Sequence, residues 1–170
     1  MGAGEVRRFS SGTVWEPVVG YSRAVAAGDF IFVSGCTSVA GAEFVHPGDA
    51  YAQTRQAIGN AADALAGLGA GLADVVQTRM YVTDISRWQD YGRAHGELFG
   101  AARPAATMIE VAGLIEPGML IEVEVVAFRR GIGSAVTHRS CSASGNGLPA
   151  VRSATIASLV RTGAFFRSKS

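Results

Sequence analysis

Apolar and polar positions along the chain alternate in ways that predict a short series of strands and two helices, all before about residue 130. Residues 29–35, DFIFVSG, are an apolar, β-rich run closed by glycine and read as a buried strand. Gly28-Asp29 is a hairpin-type turn in front of it, with Ser22 to Ala26 as the incoming strand. After the loop at His46-Pro47-Gly48, Asp49 is placed to cap a helix. In that helix Tyr51, Ile58, Ala61, Ala62, Leu65 and Leu68 recur at helical spacing, with Gly67 or Gly69 as the stop. Val75 to Val82 is the next strand. A second helix starts at Asp84 or Ser86, runs through Trp88, Tyr91, His95, Leu98 and Phe99, and ends at Gly100. Thr107 to Val111 and Leu120 to Phe128 complete the pattern as two buried strands joined by a turn at Pro117-Gly118. The order is an α+β arrangement: a mixed sheet with both helices on one face and an apolar opposite face in need of cover. Oligomerisation is the simplest cover.

The last strand carries an anomaly. Glu122 and Glu124 sit two apart, so they share one face, while Ile121, Val123 and Val125 take the other. Ionised carboxylates are costly to bury without polar partners, so this pair marks either a solvated face or a site.

Composition narrows the classes. A chain of 170 residues with 48 % hydrophobic content and mean hydropathy +0.23 suits one globular domain. No apolar run approaches the roughly 20 residues of a membrane span. The N-terminal MGAGEVRRFSSG lacks the apolar segment of a secretory signal, and Val6 stands where myristoylation wants Ser or Thr, so a cytoplasmic location is expected. Cys36 and Cys141 are too few for a disulfide framework and match no metal-ligand spacing. All 14 acidic residues lie in 1–130 with ten of the 15 basic ones, a balance of −4; residues 131–170 hold five basic residues and no acid. An acidic body is a poor match for nucleic acid. The division therefore falls at 1–130, a folded domain, and 131–170, a Ser/Gly/Ala/Arg-rich tail. That tail reads as poorly ordered, as a packing arm or as non-native sequence.

No phosphate loop, dinucleotide fingerprint, zincin helix or nucleophile elbow occurs. Six blocks do stand in a distinctive order: Gly20-Tyr21-Ser22, Ser34-Gly35, QTRQAIGNAADAL at 53–65, ADVVQTRMYVTDI at 73–85, Arg103-Pro104-Ala105, and IEVEVVAF at 121–128. Together they resemble the RidA (YjgF/YER057c/UK114) family over residues 15 to 129. The resemblance implies a chorismate-mutase-like fold assembled as a homotrimer with ligand clefts between subunits. It also implies cofactor-free hydrolysis of reactive enamines and imines, as in 2-iminobutanoate/2-iminopropanoate deaminases, which yield 2-keto acids and ammonia. Ribonuclease action, attributed to some relatives, is the least favoured activity, because the body is acidic and shows no His/Lys pair at a suitable spacing.

By the same resemblance Glu122 is the water-associated catalytic carboxylate, and Tyr21, Ser34 and Gly35 are cleft residues. Three other cleft positions have changed: Gly92 stands for an asparagine, Met108 for a cysteine, and Ala106 for the arginine that anchors the substrate carboxylate. The loop before Pro104 is also shorter by about three residues than in typical members. The chain thus resembles a divergent member that hydrolyses or merely binds a different small metabolite as much as a working deaminase. Arg103 and Arg23 are the candidate replacement cations, although Arg103 lies at an odd offset from position 106 and so faces the other way. Glu124 is expected to be a structural or subunit-facing partner, Arg79 a surface or interface residue, Cys36 a buried thiol, and His95 an ordinary half-buried side chain.

Overall fold

The structure, a computed structural model, describes residues 6–129; the 131–170 tail lies outside the described residues. In chain order the elements are β1 (Arg7–Phe9), α1 (Trp15–Val19), β2 (Ala24–Ala27), β3 (Phe30–Cys36), β4 (Val39–Ala40), β5 (Glu43–Phe44), α2 (Ala50–Gly67), β6 (Val75–Val82), α3 (Trp88–Phe99), β7 (Ala105–Glu110) and β8 (Ile121–Phe128). Six strands form one sheet in the order β1-β2-β3-β8-β6-β7, and β4 and β5 make a separate small ribbon. Only the β6–β7 pair of the large sheet is parallel, with α3 as the crossover between them. The expected mixed sheet with helices on one face is what forms; β1, α1 and the β4–β5 ribbon are additions too short to show a period.

The core follows from phase. Ile121, Val123, Val125 and Ala127 of β8, Ile31 and Val33 of β3, and Met80 and Val82 of β6 are buried on the helix-covered face. Against them α2 lays Ala57, Ile58, Ala61, Ala64 and Leu65, and the small alanines let the helix axis come close to the sheet. Asp49 caps this helix as expected, its carboxylate accepting from the Ala52 amide at 2.9 Å. The helix stops at Gly67, followed by Gly69 at φ 86°, a left-handed turn that suits glycine.

Gln53 is a buried polar staple. Fully buried in α2, it donates to the His46 and Gly118 carbonyls at 3.0 Å each and accepts from the Leu120 amide at 2.8 Å. One side chain thus ties the helix start to the Pro117-Gly118 turn and the entry of β8, and Gly118 takes φ 90° there. Gln53→Ala orphans all three backbone groups and opens a cavity. Equilibrium urea unfolding should show a loss of about 2–4 kcal/mol; an unchanged midpoint would refute the staple.

One expectation needs correcting. β7 and β8 are not a pair of buried strands. β8 lies in the middle of the sheet between β3 and β6, whereas β7 is the edge strand beyond β6, and of its residues only Met108 is even half-buried. β7 also begins at Ala105 rather than Thr107. An apolar run reports a strand, but not how many neighbours it has.

The face away from the helices is bare. Phe30, Phe32 and Phe128 are 44, 48 and 38 % exposed and lie against one another, with ring centroids 6.2 Å (Phe30–Phe32) and 5.1 Å (Phe30–Phe128) apart. Contiguous apolar surface of this kind is unusual on a free-standing monomer.

Candidate functional site

The site is built where α1 hands over to β2. Gly20, at φ 80°, ends α1 in the left-handed conformation, and the Gly20 and Tyr21 amides both return to the Glu16 carbonyl at 2.9 and 3.1 Å. The chain then runs as Tyr21-Ser22-Arg23 alongside β3. The Ser34 amide donates to the Arg23 carbonyl at 3.0 Å, and the Ser34 hydroxyl to the Ser22 carbonyl at 2.9 Å. The hydroxyl of Ser34 is therefore committed to holding this segment in place.

β3 carries a bulge at this point. Val33 faces Val125 on β8, but Cys36 faces Val123, so three steps on one strand match two on the other. The extra residue lies in Ser34-Gly35, and it lets Gly35 slide under the side chain of Glu122. A Cβ built at Gly35 would strike the Glu122 carboxylate, with Cδ at 2.5 Å and Cγ at 2.8 Å. Glycine is required here by the glutamate, not by any backbone angle.

Glu122 stands on the bare face opposite Tyr81, and Glu124 opposite Arg79. Burial raises the pKa of Glu122 above its ordinary value, and Glu124 adds to the rise while Arg23 opposes it. Glu124 has partners of its own: the Tyr81 hydroxyl at 3.1 Å and Arg79 at 3.5 Å. The two carboxylates thus differ in their surroundings: Glu124 is held by neighbouring side chains, and Glu122 stands over a glycine.

Arg23 enters the same cluster. Its Nη1 donates to the Gly35 carbonyl at 2.5 Å and lies 3.6 Å from Cys36 Sγ; its Nη2 donates to the Tyr21 hydroxyl at 2.8 Å. Its Nε reaches Ser11 Oγ at 3.4 Å, and the Ser11 hydroxyl and amide in turn donate to the buried Glu16 carboxylate at 2.7 and 2.9 Å. Burial alone would raise the Glu16 pKa, but the hydroxyls of Ser10 and Ser11 and the charge of Arg23 outweigh it, and the value lies below the ordinary one. Cys36 is buried, and desolvation lifts its pKa despite the nearby guanidinium, so it is a packed thiol rather than a nucleophile. Arg103 plays no part: it is exposed at φ 47°, its amide bonded to Phe99 at 2.7 Å.

The remaining expected site residues lie elsewhere in the chain. In the β6–β7 register Ala106 faces Thr78 and Met108 faces Met80, both of which point under the helices, while Glu122 is on the opposite face with Tyr81. Gly92, half-buried on α3, lies on the helix side as well, its nearest side-chain neighbour Trp88. One copy of the chain therefore unites Tyr21, Ser34, Gly35 and Glu122, adds Arg23 and Cys36, and leaves Gly92, Ala106 and Met108 on the far side of its sheet. Sequence reasoning had no signal for the Ser11–Glu16 support, because nothing in a polar loop announces its partner. Among the described residues, two concavities lie away from Glu122, one beside Tyr51 and Arg55 and one along residues 113–120. Glu122 itself lies on an open face.

His95 is an ordinary core-edge residue, as expected. Its Nε2 is 2.9 Å from the Thr78 hydroxyl and its ring packs on Phe99 at 4.7 Å; burial lowers its pKa below the usual 6.5. A lowered pKa means that the folded state prefers the neutral ring, so this contribution is complete above pH 6.5 and is lost as pH falls through the folded value. Thermal melts between about pH 5 and 8 should show the wild type losing more stability on acidification than His95→Gln does.

No group of metal-binding residues occurs among the described residues, and no described helix is long and apolar enough to cross a membrane. The endoribonuclease L-PSP family profile matches residues 13–129. An uncharacterised protein of Streptomyces coelicolor is 42 % identical over 76 % of this chain and 96 % of its own. The 3-aminoacrylate deaminase RutC of Acinetobacter baylyi is 34 % identical over 65 % of this chain and 88 % of its own. Among solved structures, a Mycobacterium tuberculosis member of the YjgF/YER057c/UK114 family superposes with a TM-score of 0.67 at 46 % identity, covering 73 % of this chain and 99 % of that one. The profile match and the shared fold show that this chain belongs to the endoribonuclease L-PSP family, which is the YjgF/RidA family.

Proposed function

We propose that the protein hydrolyses small reactive enamines and imines, converting 2-imino acids to 2-keto acids and ammonia. The observation that carries this reading is Glu122: a half-buried carboxylate of raised pKa, seated over Gly35 on the face of the sheet that the helices leave uncovered. In the reaction water adds to the C=N carbon, and the resulting carbinolamine collapses to C=O with loss of ammonia. Glu122 passes both protons of the attacking water to the nitrogen, the first as water adds and the second, from the carbinolamine hydroxyl, as the C–N bond breaks, so the nitrogen leaves as ammonia. Burial and Glu124 raise the pKa of Glu122, and a carboxylate of raised pKa is the stronger base once ionised. The deaminase name carried by the Acinetobacter relative supports the same chemistry.

The reaction centre is completed by association. Bare Phe30, Phe32 and Phe128 give a second copy an apolar seat. A homotrimer would bring the Gly92, Ala106 and Met108 side of one copy to the Tyr21, Ser34, Gly35 and Glu122 side of another. Light scattering on purified protein should return three times the chain mass; a monomer at micromolar concentration would remove this part of the proposal. Such a protein works on diffusing metabolites in the cytoplasm, with neither metal nor organic cofactor.

The direct assay generates 2-aminoacrylate with a serine dehydratase and follows pyruvate release. Rates no faster than in buffer would exclude this substrate class. A second reading has its own observation. Exposed Ala106 offers no cation on its side of the sheet, so a binding trimer for a different metabolite fits that wall equally well. Thermal-shift screening distinguishes the two, because uncharged ligands should then outperform carboxylates.

A further inference from the structure

We infer that Arg23 and Tyr21 together form the anion-binding pair of this site, placing the carboxylate of a small 2-keto or 2-imino acid on the same wall as Glu122. This rests on the reading of the Glu122 cluster as the reaction site, and it names how a chain with alanine at position 106 holds a charged substrate.

The donor count makes the case. A guanidinium has five N–H donors and no acceptor. In Arg23 both Nη1 hydrogens are directed at Gly35 O and Cys36 Sγ, Nε at Ser11 Oγ, and one Nη2 hydrogen at the Tyr21 hydroxyl. One Nη2 hydrogen is left over. The Tyr21 oxygen accepts from Arg23, so its own O–H is free to donate outward. Two donors 2.8 Å apart, one of them cationic, match the spacing of the two oxygens of a carboxylate.

The pair is also preorganised. Ser11 and the buried carboxylate of Glu16 hold the guanidinium from behind, and its Cζ lies 5.3 Å from the Tyr21 ring centroid. The reacting carbon of a 2-imino acid is bonded directly to its carboxylate carbon, so anion site and base must be neighbours. Arg23 is near enough to Glu122 to oppose the rise of its pKa, yet its hydrogen bonds go to other groups. The remaining Nη2 hydrogen is thereby left available to a ligand.

The test is titration calorimetry of pyruvate, with pyruvamide as the neutral isostere, at constant ionic strength. Wild type should bind pyruvate, and Arg23→Gln should weaken it by about 10- to 100-fold, the usual worth of a charge-assisted contact. Arg23→Lys should recover part of the loss, and pyruvamide should bind the Arg23→Gln variant and the wild type alike. Tyr21→Phe, which keeps the ring and the packing, should weaken pyruvate by a smaller factor. It serves as the second line should Arg23→Gln melt early. Equal pyruvate affinity in wild type, Arg23→Gln and Tyr21→Phe overturns the inference, and so does a wild type that binds no pyruvate at millimolar concentration. Arg23-dependent pyruvate binding in a protein that does not accelerate 2-aminoacrylate hydrolysis would uphold this anion site while removing the hydrolase reading.

Discussion

Glu122→Gln is expected to abolish turnover and at the same time make the protein more stable at neutral pH. Loss of a positioned general base lowers rates by roughly 10²- to 10⁴-fold. The stability change has the opposite sign because burial, together with Glu124, raises the pKa of Glu122 in the folded protein. A raised pKa means that the folded state favours the protonated form. Its advantage is complete below the ordinary value of 4.5 and is lost as pH rises through the folded value. At pH 7 the ionised side chain is therefore a burden that the amide lacks, even after the attraction of Arg23 is counted. The melting temperature of Glu122→Gln should exceed that of wild type by roughly a few degrees at pH 7, and the gap should close toward pH 4.5. A variant that is inactive and less stable throughout would make Glu122 a structural residue.

Gly35→Ala should come close to Glu122→Gln in activity without touching a functional group. The added Cβ meets Glu122 Cδ at 2.5 Å and Cγ at 2.8 Å, far inside ordinary contact. The atoms in the way are the end of a flexible side chain, so the carboxylate swings aside and the fold survives at about 1 kcal/mol. The position proposed for the general base is vacated. A double-mutant cycle isolates this cause: in a Glu122→Ala background, Gly35→Ala should cost almost nothing in stability, because the clash partner is gone. Additive effects in that cycle would show that Gly35 matters for backbone reasons instead.

Both predictions concern residues whose types could be read in advance and whose contact could not. The strand period put Glu122 and Glu124 on one face and Val123 and Val125 on the other, and the structure agrees. Asp49 as a cap, Gly67 as a stop and Pro117-Gly118 as a turn were legible because each acts within a few residues of itself. The buried, paired character expected of the 103–128 segment failed for a matching reason. β7 and β8 are separated by β6, a strand about 30 residues earlier in the chain, and no local pattern names that neighbour.

The site divides along the same line. Arg103 and Arg23 began as equal candidates for the missing cation, since the sequence supplies charge but not distance. The bulge at Ser34-Gly35 and the left-handed turn at Gly20 bring Arg23 onto Gly35 and Tyr21, while Arg103 points to solvent. Likewise, the β6–β7 register places Ala106 and Met108 on the opposite face from Glu122. By itself, then, the amino-acid sequence determined the family, the phase of each long element and the oddity of Glu122 within an apolar strand. These are properties of near neighbours, set by the twofold and 3.6-residue periods of the backbone. Tertiary structure alone decided which cation joins the Gly35 and Tyr21 cluster beside Glu122 and which of the expected cleft residues a single chain brings together. Those depend on strand order, register and one bulge, which arise only when segments far apart in the chain pack together.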